Sequence, residues 1–305
     1  MKKLSVVCPV YNEESCIAVF VREIKKVLNG VAACEIVFVD DGSTDGTLAA
    51  VKESVSQNQD IHYVSFSRNF GKEAALLAGL QAAKGDCVVT MDVDLQDPPA
   101  LLPKMVQHIT EGFDSVATRR CTRVGEPMIR SWFARRFYWL MKKFSDVELV
   151  DGARDYRMMN RCVVDAILSM PETNRFTKGI YQWVGFKTKW ISFENVERRT
   201  GETKWSFWKL CGYAINGILA FTTAPLQIAS WLGILSCIGA FVSLAWIYIK
   251  ALIFGNPVAG WPSMVCIVIF LGGLQLFVIG ILGAYLAKVY GEAKHRPIYI
   301  VKERA

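Results

Sequence analysis

Three short clusters of polar residues have the composition and spacing for nucleotide and phosphate chemistry. The first, Asp92-Val93-Asp94-Leu95-Gln96-Asp97, follows an apolar run at 86–91. Strand alternation puts residues i, i+2 and i+4 on one side, so Asp92, Asp94 and Gln96 can converge at the end of a strand at 86–91. These are hard oxygen ligands with no His or Cys beside them, so they suit Mg2+ or Mn2+ rather than zinc. A metal held by so few protein groups commonly bridges a diphosphate and neutralises the charge that develops as it departs. A solvated acidic turn with Pro98 and Pro99 opening a helix is the plainer reading of the same residues. The second cluster, Asp40-Asp41-Gly42-Ser43-Thr44-Asp45-Gly46-Thr47, places acceptors ahead of a Ser/Thr/Asp helix start. Acceptors suit ribose hydroxyls and a base edge, although helix capping accounts for some of them. The third, Cys8-Pro9-Val10-Tyr11-Asn12-Glu13-Glu14, adds a ring that can lie against a base and another carboxylate. Neither GxGxxG nor GxxxxGK[ST] occurs, which argues against a dinucleotide oxidoreductase and a P-loop NTPase.

The elements that must position these clusters alternate in type. Strands are expected at 4–10, 35–40, 61–66 and 86–91, and helices at 14–28, 45–55 and 72–83. That rhythm predicts a mostly parallel sheet with helices on both faces. In such sheets ligands bind beyond the carboxyl ends of the strands, where all three clusters fall.

The chain of 305 residues is 52% hydrophobic and 21% charged, too apolar for a disordered protein. No Asp, Glu, Lys or Arg occurs at 210–249 or 251–287, which excludes a purely soluble globule. Spans are expected at 226–249 and 264–287, each about 36 Å long as helix and so able to cross a bilayer. The connector at 250–263 contains Gly255, Asn256, Pro257, Gly260, Trp261 and Pro262, which predicts a tight turn and a helical hairpin. Arg198, Arg199, Lys204 and Lys209 precede the hairpin and Lys288, Lys294, Arg296, Lys302 and Arg304 follow it, so both ends are expected in the cytoplasm. The domains implied are a catalytic domain at 1–197, a loop and juxtamembrane helix at 198–225, the hairpin at 226–287 and a basic cytoplasmic tail at 288–305.

At 128–144 Ile129, Phe133, Phe137, Leu140 and Phe144 recur at helical spacing among Arg130, Arg135, Arg136, Lys142 and Lys143. This predicts a helix on a membrane surface or at a subunit contact, with a core-packing helix as the alternative. Arg119 and Arg130 precede or begin that helix, where a lipid headgroup would arrive, and are candidate partners for an acceptor phosphate. The net charge of +7 comes with no zinc finger, aromatic RNA-binding signature or Lys/Arg tract, so a membrane surface is a better partner than nucleic acid. Nine cysteines form no CxxC pair, which points to a reducing compartment. Lys2 and Lys3 precede an apolar run too short for a signal peptide. His62, His108 and His295 lie outside every motif.

Pro9-Val-Tyr-Asn-Glu-Glu, Val39-Asp-Asp-Gly-Ser-Thr-Asp, Ser67-Arg-Asn-Phe-Gly-Lys-Glu-Ala and Met91-Asp-Val-Asp-Leu-Gln-Asp-Pro together resemble the family 2 glycosyltransferases. Within that family the likeness is to the polyprenyl-phosphate sugar transferases, the bactoprenol glucosyltransferases and their dolichol-phosphate mannose synthase relatives, over nearly the whole chain. The resemblance implies an α/β GT-A catalytic domain (Rossmann-like, mostly parallel sheet) with a C-terminal transmembrane hairpin in a bacterial inner membrane. It also implies a nucleotide-sugar donor, a divalent metal, inversion at the anomeric carbon and a homo-oligomer, a tetramer. Pro9, Tyr11, Glu13 and Asp40 match the nucleotide-contacting positions, with Asp41 and Lys72 as further donor-side residues. Asp92, Asp94 and Gln96 match the metal and diphosphate motif. Arg198 and Lys204 resemble a loop that closes over the donor diphosphate, the alternative being juxtamembrane charge for anionic lipid. Asp155, in Gly152-Ala-Arg-Asp-Tyr-Arg157, resembles an acidic residue near the acceptor. It either orients acceptor or sugar, or holds Arg154 or Arg157 in a structural ion pair. A phosphate monoester, with a second pKa of about 6, needs no strong general base. Likeness to bacterial enzymes favours UDP-glucose as donor and polyprenyl phosphate as acceptor, giving a lipid-linked sugar for envelope glycan modification such as that of O-antigen.

Three other readings are weaker. A processive polysaccharide synthase would carry more membrane helices and QxxRW, and Gln182-Trp183 is not followed by that pattern. A dehalogenase-type phosphatase would place its DxD strand near the start of the domain. A tethered, non-catalytic nucleotide-sugar sensor would be indifferent to chelation.

Overall fold

The structure, a computed structural model, describes residues 3–120, 150, 152–170, 172–193, 222–254 and 260–305. The interfacial helix expected at 128–144, most of 198–225, and with them Arg130, Arg198 and Lys204, lie outside the described residues.

The first half of the domain follows the expected alternation: β1 (Lys3–Val10), α1 (Glu14–Leu28), β2 (Ala33–Asp40), α2 (Thr47–Ser56), β3 (Ile61–Phe66), α3 (Lys72–Ala82) and β4 (Cys87–Thr90). These strands are near-continuous runs of Val, Ile, Phe and Cys because helices cover both faces of the sheet. Leu4, Val6, Val7 and Cys8 of β1 are fully buried. α1 buries Cys16, Ile17, Phe20, Ile24 and Leu28, one stripe at helical spacing, and carries Lys25 and Lys26 in its last turn, where positive charge opposes the helix dipole. α3 is buried from Ala74 to Leu80, a stretch of Ala, Gly and Leu. A Cβ at Gly79 would stand 2.2 Å from Val7 Cγ1, so α3 lies as close to the sheet as glycine allows.

A 3-10 helix (Pro99–Leu101) leads into α4 (Leu102–Thr110), followed by β5 (Ser115–Arg120), β6 (Ala153–Asn160), α5 (Arg161–Leu168), α6 (Thr177–Trp183) and β7 (Thr188–Phe193). With a last strand β8 (Val301–Arg304), the sheet order is β7-β5-β6-β4-β1-β2-β3-β8, and β3, β2, β1 and β4 form a parallel block. β6 runs antiparallel beside β4 with Thr90 opposite Arg157. Continued by two residues, that register brings Asp155 level with Asp92, although the two are far apart in sequence.

β8 (Val301–Arg304) corrects the expectation for the chain's end. Residues 288–305 are not simply a basic tail, because 301–304 pair antiparallel with β3, Val64 opposite Arg304, and close that edge of the sheet. Tyr299 stacks on Phe66 with ring centroids 4.7 Å apart, and Ile298 packs on the same cluster. The run Pro-Ile-Tyr-Ile-Val is rich in β-branched and aromatic residues, and that preference outweighs the scattered basic charge.

The hairpin helices are α7 (Ala224–Phe254) and α8 (Trp261–Ala293), longer than expected at both ends. α7 continues through Lys250, so the connector is shorter than the 250–263 turn read from Gly and Pro. Both are long and apolar enough to cross a membrane and are scarcely buried within the chain. Trp231, Phe241, Trp246, Phe270 and Leu276 point outward, more than half exposed, as lipid-facing residues do.

Candidate active site

The site forms where β1, β2 and β4 end together. Val7 O accepts from the Met91 amide at 3.1 Å. The next donor toward β4 would be the amide of residue 9, which is proline and has none. The β1–β4 ladder therefore stops at Thr90, and the chain after it turns away. Asp92, Asp94 and Gln96 lie in this turn rather than on a strand, which corrects the alternation expected for them. Leu95 takes φ +57, and Asp94 Oδ1 accepts from the Gln96 amide at 3.1 Å, a local Asp-turn bond that competes with extended backbone. The turn leaves Asp92, Asp94 and Gln96 partly exposed and carries Asp97 inside, where it is 1% exposed.

Lys72 is the centre of the cluster. Its Nζ lies 2.7 Å from Asp92 Oδ1 and 2.9 Å from Asp155 Oδ2, so one ammonium joins residues contributed by α3, the β4 turn and β6. Burial works against the Lys72 charge, but the Asp155 and Asp92 carboxylates outweigh it and hold the ammonium well above the usual lysine range. Burial likewise works to raise Asp155, and the Lys72 and Lys178 charges hold its carboxyl well below the usual range. Asp155 thus pairs with Lys72, not with Arg154 or Arg157. Arg154 Nε donates to Asp97 Oδ1 at 3.1 Å, and burial pushes the Asp97 carboxyl up to about 6 against the pull of that guanidinium. Arg157, 3% exposed, lies over the Tyr181 and Trp190 rings at 4.7 and 5.4 Å, and burial draws its guanidinium down to about 10.

The second cluster is a mount for this lysine. Asp41 accepts from the Phe70 amide at 2.6 Å and the Gly71 amide at 2.9 Å, fixing the loop that delivers Lys72 to the start of α3. Gly42 meets the same loop so closely that a Cβ would stand 2.5 Å from Arg68 C. Asp40 is 1% exposed, with Oδ1 accepting from the Ser43 amide at 3.0 Å and Oδ2 from Ser65 Oγ at 2.8 Å. Both carboxylates, read from sequence as donor contacts, are here engaged in holding loops.

Pro9 is half-buried at the strand end and Tyr11, 38% exposed, presents its ring beside it. Asn12 at φ +55 donates its amide to Ser43 Oγ and accepts from the Thr44 amide, at 3.0 and 2.8 Å. Glu13 donates its amide to Thr47 Oγ1 at 2.8 Å, so the first and second clusters form one rim. Arg119 stays apart from Lys72 on β5, its Nε donating to Ser192 Oγ at 2.9 Å. Sequence reasoning gave no role to Asp97 or Lys178, and it offered Arg154 to Asp155 whereas the structure pairs it with Asp97. Asp97 lay within the first cluster and Arg154 beside Asp155, but nothing local showed that they would meet.

Among the described residues no three His, Cys, Asp or Glu side chains form a ready-made metal cage. The oxygens of Asp92, Asp94 and Gln96 nonetheless fit a hard divalent cation whose shell is completed by substrate phosphates, since Mg2+ is bound in that way through one or two carboxylates.

A mostly parallel sheet with this acidic turn beyond its central strands is the GT-A form of a glycosyltransferase. Residues 5–168 match the glycosyl transferase family 2, and the chain belongs to that family. It is 41% identical to a prophage bactoprenol glucosyl transferase homolog of Escherichia coli strain K12, covering 98% of each chain. It is 40% identical to the bactoprenol glucosyl transferase of Shigella phage SfV, again over 98% of each. Among solved structures, it resembles glucosyl-3-phosphoglycerate synthase from Mycobacterium tuberculosis in complex with Mn2+ and UDP-glucose, at 22% identity, 72% and 77% coverage and TM-score 0.47. Mannosyltransferase PcManGT from Pyrobaculum calidifontis in complex with GDP-Man and Mn2+ is 18% identical, with 93% and 86% coverage and TM-score 0.46.

Proposed function

We propose that this enzyme transfers glucose from UDP-glucose to polyprenyl phosphate, with inversion, at the cytoplasmic face of a bacterial inner membrane. The observation that carries this reading is the full-length likeness, hairpin included, to bactoprenol glucosyl transferases at about 40% identity. An acceptor anchored in lipid also gives the two apolar helices a purpose.

A phosphate oxygen of the acceptor attacks the anomeric carbon, forming the new C–O bond as the bond to the UDP diphosphate breaks on the opposite side. With a second pKa of about 6, the phosphate is mainly dianionic at neutral pH, so no proton has to be removed and both products leave as anions. Asp92, Asp94 and Gln96 would hold Mg2+ or Mn2+, which when bound offsets charge developing on the departing diphosphate. Lys72 has two carboxylate partners and can exchange one for a diphosphate oxygen while Asp155 keeps it in place. Tyr11 lies against the base, with Pro9 and Glu13 beside it, while Asp40 and Asp41 shape the rim. Arg198 and Lys204 serve the diphosphate. Arg119 and Arg130 serve the acceptor phosphate, whose negative charge must be offset beside that of the donor. The basic flanks of the hairpin support a cytoplasmic position for the catalytic domain and the C-terminus, and the active form is taken to be a homotetramer.

The test is a transfer assay with membranes carrying the protein, a panel of labelled nucleotide sugars and polyprenyl phosphate. Label from UDP-glucose should enter the organic phase as a polyprenyl-linked sugar. Label recovered as free sugar or as a water-soluble polymer would refute the proposal.

A further inference from the structure

A polar cavity of about 300 Å3, whose lining does not include Lys72, lies where the last turn of α8 and the chain leaving it meet the start of α3 and the 173–175 segment. Two guanidinium groups line it, Arg175 and Arg296. Two acids of this region, Glu73 on the cavity wall and Glu292 of α8, are hydrogen-bonded to the 173–177 segment. Glu73 accepts from the Thr177 amide at 2.9 Å and from Thr177 Oγ1. Glu292 accepts from Thr173 Oγ1 at 2.7 Å, the Thr173 amide at 2.9 Å and the Asn174 amide at 3.1 Å. Arg175, 9% exposed, donates Nη1 and Nη2 to the Met170 and Ile167 carbonyls at 2.9 and 3.2 Å, which leaves its Nε–H and further N–H donors. Among the described residues Arg296 has neither a hydrogen bond nor an ion pair. Glu73, on the cavity wall, and Glu172 act on Arg175 through space, but among the described residues neither carboxylate is hydrogen-bonded to or ion-paired with either guanidinium, so donors of both remain for an anion.

The depth of the cavity points to the source of that anion. Val289 and Tyr290 are 62% and 61% exposed on the apolar surface of α8, and Gly291 is part of the cavity wall. The hollow thus begins where a spanning helix would leave hydrocarbon for headgroups. Lys288 and Lys294 flank it, Lys288 Nζ donating to Asn174 Oδ1 of the cavity wall at 2.8 Å and Lys294 Nζ lying 4.0 Å over the Tyr290 ring. Juxtamembrane cations at that depth attract anionic lipid.

We propose that this cavity binds the phosphate diester of an anionic glycerophospholipid headgroup, with Arg175 and Arg296 as its partners. A lipid seated there would brace α8 against the 173–177 segment, whose Thr177 holds Glu73 next to Lys72. The inference does not depend on which sugar or acceptor the enzyme uses, and its test involves no turnover.

Purified full-length protein in neutral detergent is titrated with phosphatidylglycerol and, separately, with phosphatidylcholine of the same chain length, binding being read by native mass spectrometry and by thermal unfolding. Phosphatidylglycerol should bind at least about tenfold more tightly and raise the unfolding midpoint. Arg296→Ala should remove most of that preference. Arg304→Ala, which removes the same charge from the edge strand, should keep it. Arg175→Lys, which keeps the charge but loses the planar fork, should weaken it. Equal binding of the two lipids by the wild type, or an Arg296→Ala variant that behaves like Arg304→Ala, would overturn the proposal. Displacement of phosphatidylglycerol by millimolar inorganic phosphate would assign the cavity to a soluble phosphate and overturn the lipid source.

Discussion

Lys72→Met is the sharpest perturbation of the active site, because it removes one cation and leaves two carboxylates facing each other across the gap. Methionine keeps the length of the stem, so the change is mainly electrostatic. Lys72 makes two charge-assisted contacts, at 2.7 and 2.9 Å, but its side chain is 38% exposed, so solvent screens both. At about 1 kcal/mol for each screened contact, the loss of stability is about 2 kcal/mol. The loss in transfer should be larger, because the charge of a departing diphosphate is greatest in the transition state. Removing one preorganised stabilising group of this kind typically costs about 100- to 1000-fold in kcat. Single-turnover transfer from UDP-glucose to polyprenyl phosphate, together with urea unfolding of the same preparation, separates the two effects. A variant that keeps kcat within about threefold of wild type would show that Lys72 only ties β4 to β6, and the role given to it in transfer would be wrong.

Four further outcomes are expected. Asp94→Ala should abolish transfer while leaving the urea midpoint unchanged, and chelation of the wild type should do the same reversibly, with activity returning on addition of Mg2+ or Mn2+. The stability difference between wild type and Asp155→Asn should be full at neutral pH and shrink as pH falls below about 4, since a carboxyl held below its unfolded pKa stabilises above that value and loses the contribution as pH descends through the folded one; thermal unfolding from pH 3 to 7 measures it. Gly79→Ala should destabilise the domain by about 1–3 kcal/mol, read from urea unfolding, because its Cβ would meet Val7 at 2.2 Å. Deleting residues 301–305 removes β8 and uncovers β3, so limited proteolysis should cut near β3 faster and the protein should aggregate more readily in light scattering.

The alternation of apolar runs with helical stretches was legible from the residues alone, and α1 and β3 begin and end where it places them. Buried parallel strands and one-sided helices write their burial directly into local pattern. The uncharged tracts announced two long apolar helices for the same reason, although not their ends, because Gly and Pro suggested boundaries at 249 and 264 whereas α7 runs to Phe254 and α8 begins at Trp261. The three polar clusters were likewise visible as strand ends, and hence as the site. What each acid does within it was not. Asp92 and Asp94 were expected to converge by strand alternation at the end of 86–91, but the missing amide of Pro9, on a different strand, ends the ladder at Thr90 and they lie in a turn. Asp155 was open between several partners until the antiparallel register of β6 set it level with Asp92 and beside Lys72, which a distant loop anchored by Asp41 delivers. The last strand was hidden among basic residues, since pairing with β3 depends on an edge that only the folded sheet presents. Local pattern reports whether a residue is buried, whereas ion pairs and edge pairing depend on which distant segments meet, and that is decided by packing and register.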